Sequence, residues 1–171
     1  MHSMCRRHVM RLVLIFVLAT CASHAEIERS TRLLAPGTTY ETPCYIVDSG
    51  VEGPVLLVVG GIHGNEPAGY RAAEQIRYWT IARGRLIVVP RANVPGIEAK
   101  SRWLPGEDKA MRNANRNFPI PGERDVPLTK PVQALWQLLL EEQPDWVVDL
   151  HEGFDFRVAN SESDGSSIIY F

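Results

Sequence analysis

Two histidines and one glutamate carry the chemistry this chain could do. His63-Gly64-Asn65-Glu66 sets an imidazole and a carboxylate three residues apart, and His151 follows far downstream. Two imidazoles and one carboxylate are the protein ligands of a catalytic zinc site with an open fourth position. A bare His-x-x-Glu is common by chance. Here it follows an apolar run, Val55–Val59, through Gly60-Gly61, and His151 directly follows a second run, Trp146–Leu150. Ligand sites of parallel α/β sheets form at the carboxyl ends of strands, so two such ends can converge. Gly60, Gly61 and Gly64 let the backbone bend tightly there. Glu152, next to His151, should point to the other face of the strand end, away from the site. Position 155 is Asp155, so His151-Glu152 is not the His-Glu-x-x-His helix motif.

A third segment, Asn113-Ala114-Asn115-Arg116-Asn117-Phe118-Pro119, lies between these half-sites. Arginine presents a planar fork suited to a carboxylate, and asparagine adds amide donors. The competing reading is a solvated turn, since Asn and Pro favour turns. Nothing matches Gly-x-Ser-x-Gly, a phosphate-binding loop or a dinucleotide fingerprint.

The elements that must position these residues alternate in type. Tyr45–Asp48 and Val55–Val59 read as strands, and the turn-rich Ser49–Pro54 between them suggests a hairpin. Pro67–Arg83 reads as a helix with Ala72, Ile76 and Trp79 on one face and Gly84 ending it. Leu86–Val89 is a short strand. Thr129 can cap a second helix, with Val132, Leu135, Trp136 and Leu139 on its apolar face and Pro144 beyond it. Trp146–Leu150 and Ser167–Phe171 are further strands. The expected class is α/β: a mixed, largely parallel sheet flanked by helices. Arg91–Pro127 is long, rich in Gly, Pro, Asn and Arg, and without clear periodicity, as functional loops often are. The chain stops inside an apolar run, Ile168-Ile169-Tyr170-Phe171, which leads us to expect that the reading frame continues.

Residues 1–25 are expected to be a signal peptide. Arg6, Arg7 and Arg11 precede the apolar Leu12–Ala19, and Ser23-His24-Ala25 offers small residues before a cut at Glu26. A lipoprotein variant through Cys21 is disfavoured by Thr20 directly before it. The cut removes 25 of 171 residues and leaves 146, about one domain. It also removes three arginines and no acid, taking the net charge from −2 to −5. No basic field remains for nucleic acid, and no apolar run approaches the roughly 18 residues of a membrane span. His63 and His151 become the only histidines and Cys44 the only cysteine, so neither an internal disulfide nor a cysteine metal cage is available. Cys44, in a strand-like run, reads as a small buried hydrophobe.

Three ordered segments resemble the succinylglutamate desuccinylase/aspartoacylase family, relatives of the zinc carboxypeptidases. They are Gly60-Gly61-Ile62-His63-Gly64-Asn65-Glu66, Asn115-Arg116-Asn117-Phe118-Pro119 and Asp149-Leu150-His151. The resemblance covers roughly Cys44 to Phe171, making residues 26–171 the N-terminal part of a catalytic domain. It implies one zinc ion held by His63, Glu66 and His151, with Asn115 and Arg116 gripping a substrate carboxylate. Arg102, in Ser101-Arg102-Trp103, is similar to the family's other loop arginine, which helps polarise the scissile carbonyl. Two departures stand out. Asn113 replaces an Asp that in the family orients a zinc-bound histidine through its other ring nitrogen. The family's general-base Glu lies in a later segment, and nothing up to Phe171 matches it. The implied function is a periplasmic or secreted zinc hydrolase cleaving an amide bond of an N-acyl amino acid or similar small carboxylate-bearing substrate. The alternatives are a carboxypeptidase acting on peptides, such as cell-wall peptides, and a non-catalytic zinc- or carboxylate-binding remnant.

Overall fold

A five-stranded mixed sheet forms the body of the computed structural model, which describes residues 26–120 and 128–153. Its strands are β1 (Glu28–Leu34), β2 (Thr42–Asp48), β3 (Val55–Gly60), β4 (Arg85–Val89) and β5 (Trp146–Leu150). They lie in the order β1-β2-β4-β3-β5. The β1–β2 and β2–β4 pairs are antiparallel, and β3–β4 and β3–β5 are parallel. Among the described residues three α-helices accompany them: α1 (Pro67–Ile76), α2 (Val94–Glu98) and α3 (Lys130–Glu142). Among the described residues no helix is long and apolar enough to cross a membrane.

Side-chain alternation along the strands divides the core into two layers. Leu57, Val59, Ile87, Val89 and Cys44 face α3 and meet Val132, Leu135 and Leu138. Val58, Leu86, Val88 and Val47 face the opposite way and meet Ala73 of α1. Strand β4 is buried on both faces, as a continuous Leu-Ile-Val-Val run requires. Cys44 is fully buried, and burial pushes its thiol pKa up to about 11.

Several expectations are corrected. Strands β2 and β3 do not form a hairpin, because β4 lies between them. The Ser49–Pro54 turn is bound to the start of β4 instead: Ser49 N–H donates to Gly84 O, Gly84 N–H to Val51 O and Arg85 N–H to Pro54 O. The hairpin that does form joins β2 to β1, a strand of polar residues without a strong apolar signature. Helix α1 ends at Ile76 rather than Arg83. Arg29 of β1 donates to the carbonyls of Arg77, Tyr78 and Trp79, which draws them out of the helical ladder. The buried face of α1 is Gly69 and Ala73, while Ala72 and Trp79 are exposed. Thr129 occupies the cap position of α3 but makes no capping hydrogen bond. On α3 the buried positions are Pro131, Val132, Leu135 and Leu138, with Trp136 and Leu139 only partly covered. The segment from Arg91 is ordered: it holds α2 and a 3-10 turn at Ala114–Arg116. The proposed signal peptide, Cys21, part of the long loop (121–127) and the Ser167–Phe171 strand lie outside the described residues.

Candidate metal centre

Strands β3 and β5 are parallel neighbours, so their carboxyl ends deliver His63 and His151 to the same edge of the sheet. Two close approaches bring the connecting backbone together. A Cβ on Gly64 would lie 2.0 Å from the Gly96 carbonyl carbon, so only glycine lets the His63 turn pack against α2. A Cβ on Gly69 would lie 2.2 Å from Leu150 O, so glycine lets the first turn of α1 rest on the end of β5. That contact sets Glu66, the residue just before α1, beside His151.

Glu66 bridges both histidines. His63 Nδ1 lies 2.9 Å from Glu66 Oε1, and His151 Nδ1 lies 2.7 Å from Glu66 Oε2. The ring centroids are 4.9 Å apart. One donor atom from each of His63, Glu66 and His151 lies within 4.8 Å of the others, so the three could hold a metal ion. Nitrogen and carboxylate oxygen donors in this number suit zinc chemistry. His63 and Glu66 are buried, and His151 faces solvent. Arg102 Nη1 donates to Glu66 Oε1 at 2.5 Å, and the Glu152 backbone N–H donates to Glu66 Oε2 at 3.2 Å.

Each histidine uses its second ring nitrogen on an oxygen acceptor. His63 Nε2 lies 3.1 Å from Asn113 Oδ1, and His151 Nε2 lies 2.7 Å from Asp149 Oδ2. Asp149, on β5, is two residues before His151, which directly follows the strand, so the alternation of side chains puts both on the same side. Its hydrogen bond, with that of Glu66, raises the His151 pKa to about 10. Burial pushes the Glu66 carboxyl up, but the hydrogen bonds from His151 and His63 outweigh it and hold the group well below the usual carboxylate range. Metal binding to such a donor set requires neutral imidazoles and an ionised carboxylate.

The remaining candidates divide. Arg102 reaches the cluster through Glu66. Asn115 and Arg116 lie in the 3-10 turn directly after Asn113, but neither side chain touches the cluster; Arg116 is exposed and donates to Asn115 O. Glu152 turns its carboxylate to the start of α1, where it accepts from Ala68 N–H at 2.8 Å. Sequence reading missed Asn93. Its buried amide accepts from Gly96 N–H and donates to Ile62 O and Trp103 O, tying the His63 turn to the Arg102 loop. The available signal was Asn93-Val94-Pro95, an Asn cap with proline in the first turn.

The model of the succinylglutamate desuccinylase/aspartoacylase catalytic domain matches residues 52–157, more than half of the chain. The chain belongs to the succinylglutamate desuccinylase/aspartoacylase family. It is 34% identical over 114 residues to the N-alpha-acetyl-L-2,4-diaminobutyric acid deacetylase of Halomonas elongata, covering 65% of this chain and 32% of that protein. The chain thus spans about a third of that relative's length. Among solved structures, an aspartoacylase family protein from Mesorhizobium loti matches with a TM-score of 0.58 and 32% identity, over 74% of this chain and 40% of that one. Thrombin activatable fibrinolysis inhibitor shares the fold alone, with a TM-score of 0.57 and 13% identity over 81% of this chain and 47% of that one. The α/β class expected from the sequence, a mixed sheet flanked by helices, is what the structure shows.

Proposed function

We propose that this protein is a zinc-dependent hydrolase that cleaves the amide bond of an N-acyl amino acid or similar small carboxylate-bearing substrate. The observation that carries this reading is the convergence of His63, Glu66 and His151 within 4.8 Å at the carboxyl ends of two parallel strands. Deacetylation by the Halomonas relative supports an amide substrate. In the proposed site His63, Glu66 and His151 hold the ion. Bound zinc would supply a Lewis acid and an activated water. Arg102, whose guanidinium donates to Glu66 beside the cluster, would polarise the scissile carbonyl. Asn115 and Arg116, on the turn that also presents Asn113, orient the substrate carboxylate by a forked, charge-assisted contact. Glu152 is committed to α1 and is not assigned the proton transfer. We further propose that residues 1–25 direct export, so that hydrolysis takes place in the periplasm or outside the cell.

The test is hydrolysis of N-acyl amino acids by the complete gene product, with and without its metal. Arg116→Lys is expected to keep metal content and melting temperature while lowering kcat/KM by about 2–5 kcal/mol, since lysine cannot reproduce the fork. Amidating the substrate carboxylate should abolish most of that difference. Equal sensitivity of acid and amide substrates would return Arg116 to the role of a solvated turn residue.

A further inference from the structure

Asn93 is a buried amide that joins two segments. It is 1% exposed, and each polar atom of its side chain has a partner. Oδ1 accepts from Gly96 N–H at 3.0 Å, while Nδ2 donates to Ile62 O at 3.2 Å and to Trp103 O at 3.3 Å. Both amide donors are thus spent on backbone carbonyls of different segments. Gly96 makes room for them, since a Cβ there would lie 2.2 Å from Asn93 Nδ2.

The carbonyls joined in this way belong to the residue before His63 and the residue after Arg102. A second hydrogen bond links their other neighbours. Gly64 N–H, just after His63, donates at 2.9 Å to Ser101 O, just before Arg102. His63 and Arg102 are each flanked by a tie on either side. Their side chains meet at one atom: His63 Nδ1 lies 2.9 Å and Arg102 Nη1 lies 2.5 Å from Glu66 Oε1. A loop tied at one point can pivot, whereas ties at both flanks of a residue fix the direction in which its side chain leaves the backbone.

The two segments depend on the amide to different degrees. The His63 turn has further backbone ties, from Ala92 N–H to Gly60 O at 2.9 Å and from Asn93 N–H to Gly61 O at 3.0 Å. On the loop side, Ser101 N–H donates to Gly96 O at 2.8 Å, but that contact precedes Arg102. Beyond Arg102, the Asn93 contact with Trp103 O ties the chain back to the His63 turn. Loss of the amide donors therefore falls on the aim of Arg102 and spares His63.

We propose that Asn93 is a positioning residue for the hydrolysis, acting through Arg102 and not through the metal. The inference rests on the amide-hydrolase reading and deepens it. A guanidinium that stabilises charge developing on the cleaved carbonyl must be aimed in advance, and a small misplacement is costly in rate.

The variant that isolates the tie is Asn93→Ser, since serine still caps α2 but cannot span to the two carbonyls. Asn93→Asp, of the same size but without amide donors, should behave alike. Two measurements on the complete gene product decide the matter. The first is hydrogen exchange after metal removal. The Gly64 and Trp103 amides should lose protection in both variants while β4 amides keep theirs; unchanged protection at Gly64 and Trp103 would overturn the tie. The second is a double-mutant cycle on N-acyl amino acid hydrolysis by metal-loaded protein. Asn93→Ser should lower kcat by about ten- to a hundredfold, with KM and the metal affinity read by chelator competition nearly unchanged. In an Arg102→Ala background the same substitution should change kcat by less than about twofold. An equal loss in both backgrounds, or a loss that follows metal affinity, would overturn the positioning role. If the wild-type protein hydrolyses no N-acyl amino acid, the hydrolase reading fails, and the exchange measurement alone decides whether Asn93 holds the Arg102 loop.

Discussion

His63 and His151 face the same carboxylate from opposite kinds of surroundings. His63 follows an interior strand, is 1% exposed, and has Asn113 Oδ1 at its outer ring nitrogen, while the next residue, Gly64, packs closely on Gly96. His151 leaves β5, whose Trp146, Val147 and Val148 are 69%, 51% and 40% exposed, and it faces solvent itself. Packing therefore orients the first ring, and its outer nitrogen needs only the neutral oxygen of Asn113. Hydrogen bonds orient the second, and there the acceptor is the charged Asp149 at 2.7 Å. The difference teaches that a buried ligand can be positioned by shape, whereas an exposed one needs a strong, charge-assisted partner against competing water.

The largest way to break this comparison is to remove what the two rings share. Glu66→Ala should abolish stoichiometric metal binding, read by elemental analysis after dialysis, because it removes one of three ligands and leaves Arg102 without its acid. Retention of one equivalent would show that the histidines do not work through Glu66. Next, Asp149→Asn makes the two outer acceptors alike. Metal affinity, measured by chelator competition, should fall about 10–100-fold. No loss would mean that β5 alone orients His151. The reverse change sharpens the picture: Asn113→Asp gives His63 a charged acceptor and should tighten the metal by about tenfold. Weaker binding would show that the turn after β3 tolerates only a neutral group. The smallest effect is expected at Glu152. Glu152→Gln should cost about 0.3–1 kcal/mol in urea unfolding by removing an anion from the start of α1, with metal content unchanged. A loss of metal would bring Glu152 into the site after all.

Local pattern made much of this legible. Short runs of four or five residues, apolar but for Asp149, identified β3, β4 and β5, of which β3 and β4 are largely buried, and the His63 and His151 positions followed from strand ends. The neighbour relations were not legible. The turn at Ser49–Pro54 looks like a hairpin in sequence, yet its backbone groups bind Gly84 and Arg85, so β4 enters between β2 and β3. Hydrogen bonds between distant segments decide that, and no local propensity encodes them. Strand β1 was missed for the same reason. Its exposed Glu, Arg, Ser and Thr residues carry little apolar signal, and pairing with β2 makes it a strand.

The sequence by itself determined the donor set: two histidines and a glutamate at strand ends and an Asn-Arg turn between them, with Asn at 113 where the family it resembles carries an Asp. Residue type decides what an atom can donate or accept, and no fold alters it. Only the tertiary structure decided which of these groups meet. It set Glu66 between both rings through the glycine contact of α1 with β5, turned Glu152 to the helix, paired His151 with Asp149, and folded Arg112 back onto Trp103. Those relations depend on distances across the chain that closure of the sheet and loops alone can set, because side chains far apart in sequence meet only when the backbone between them is fixed.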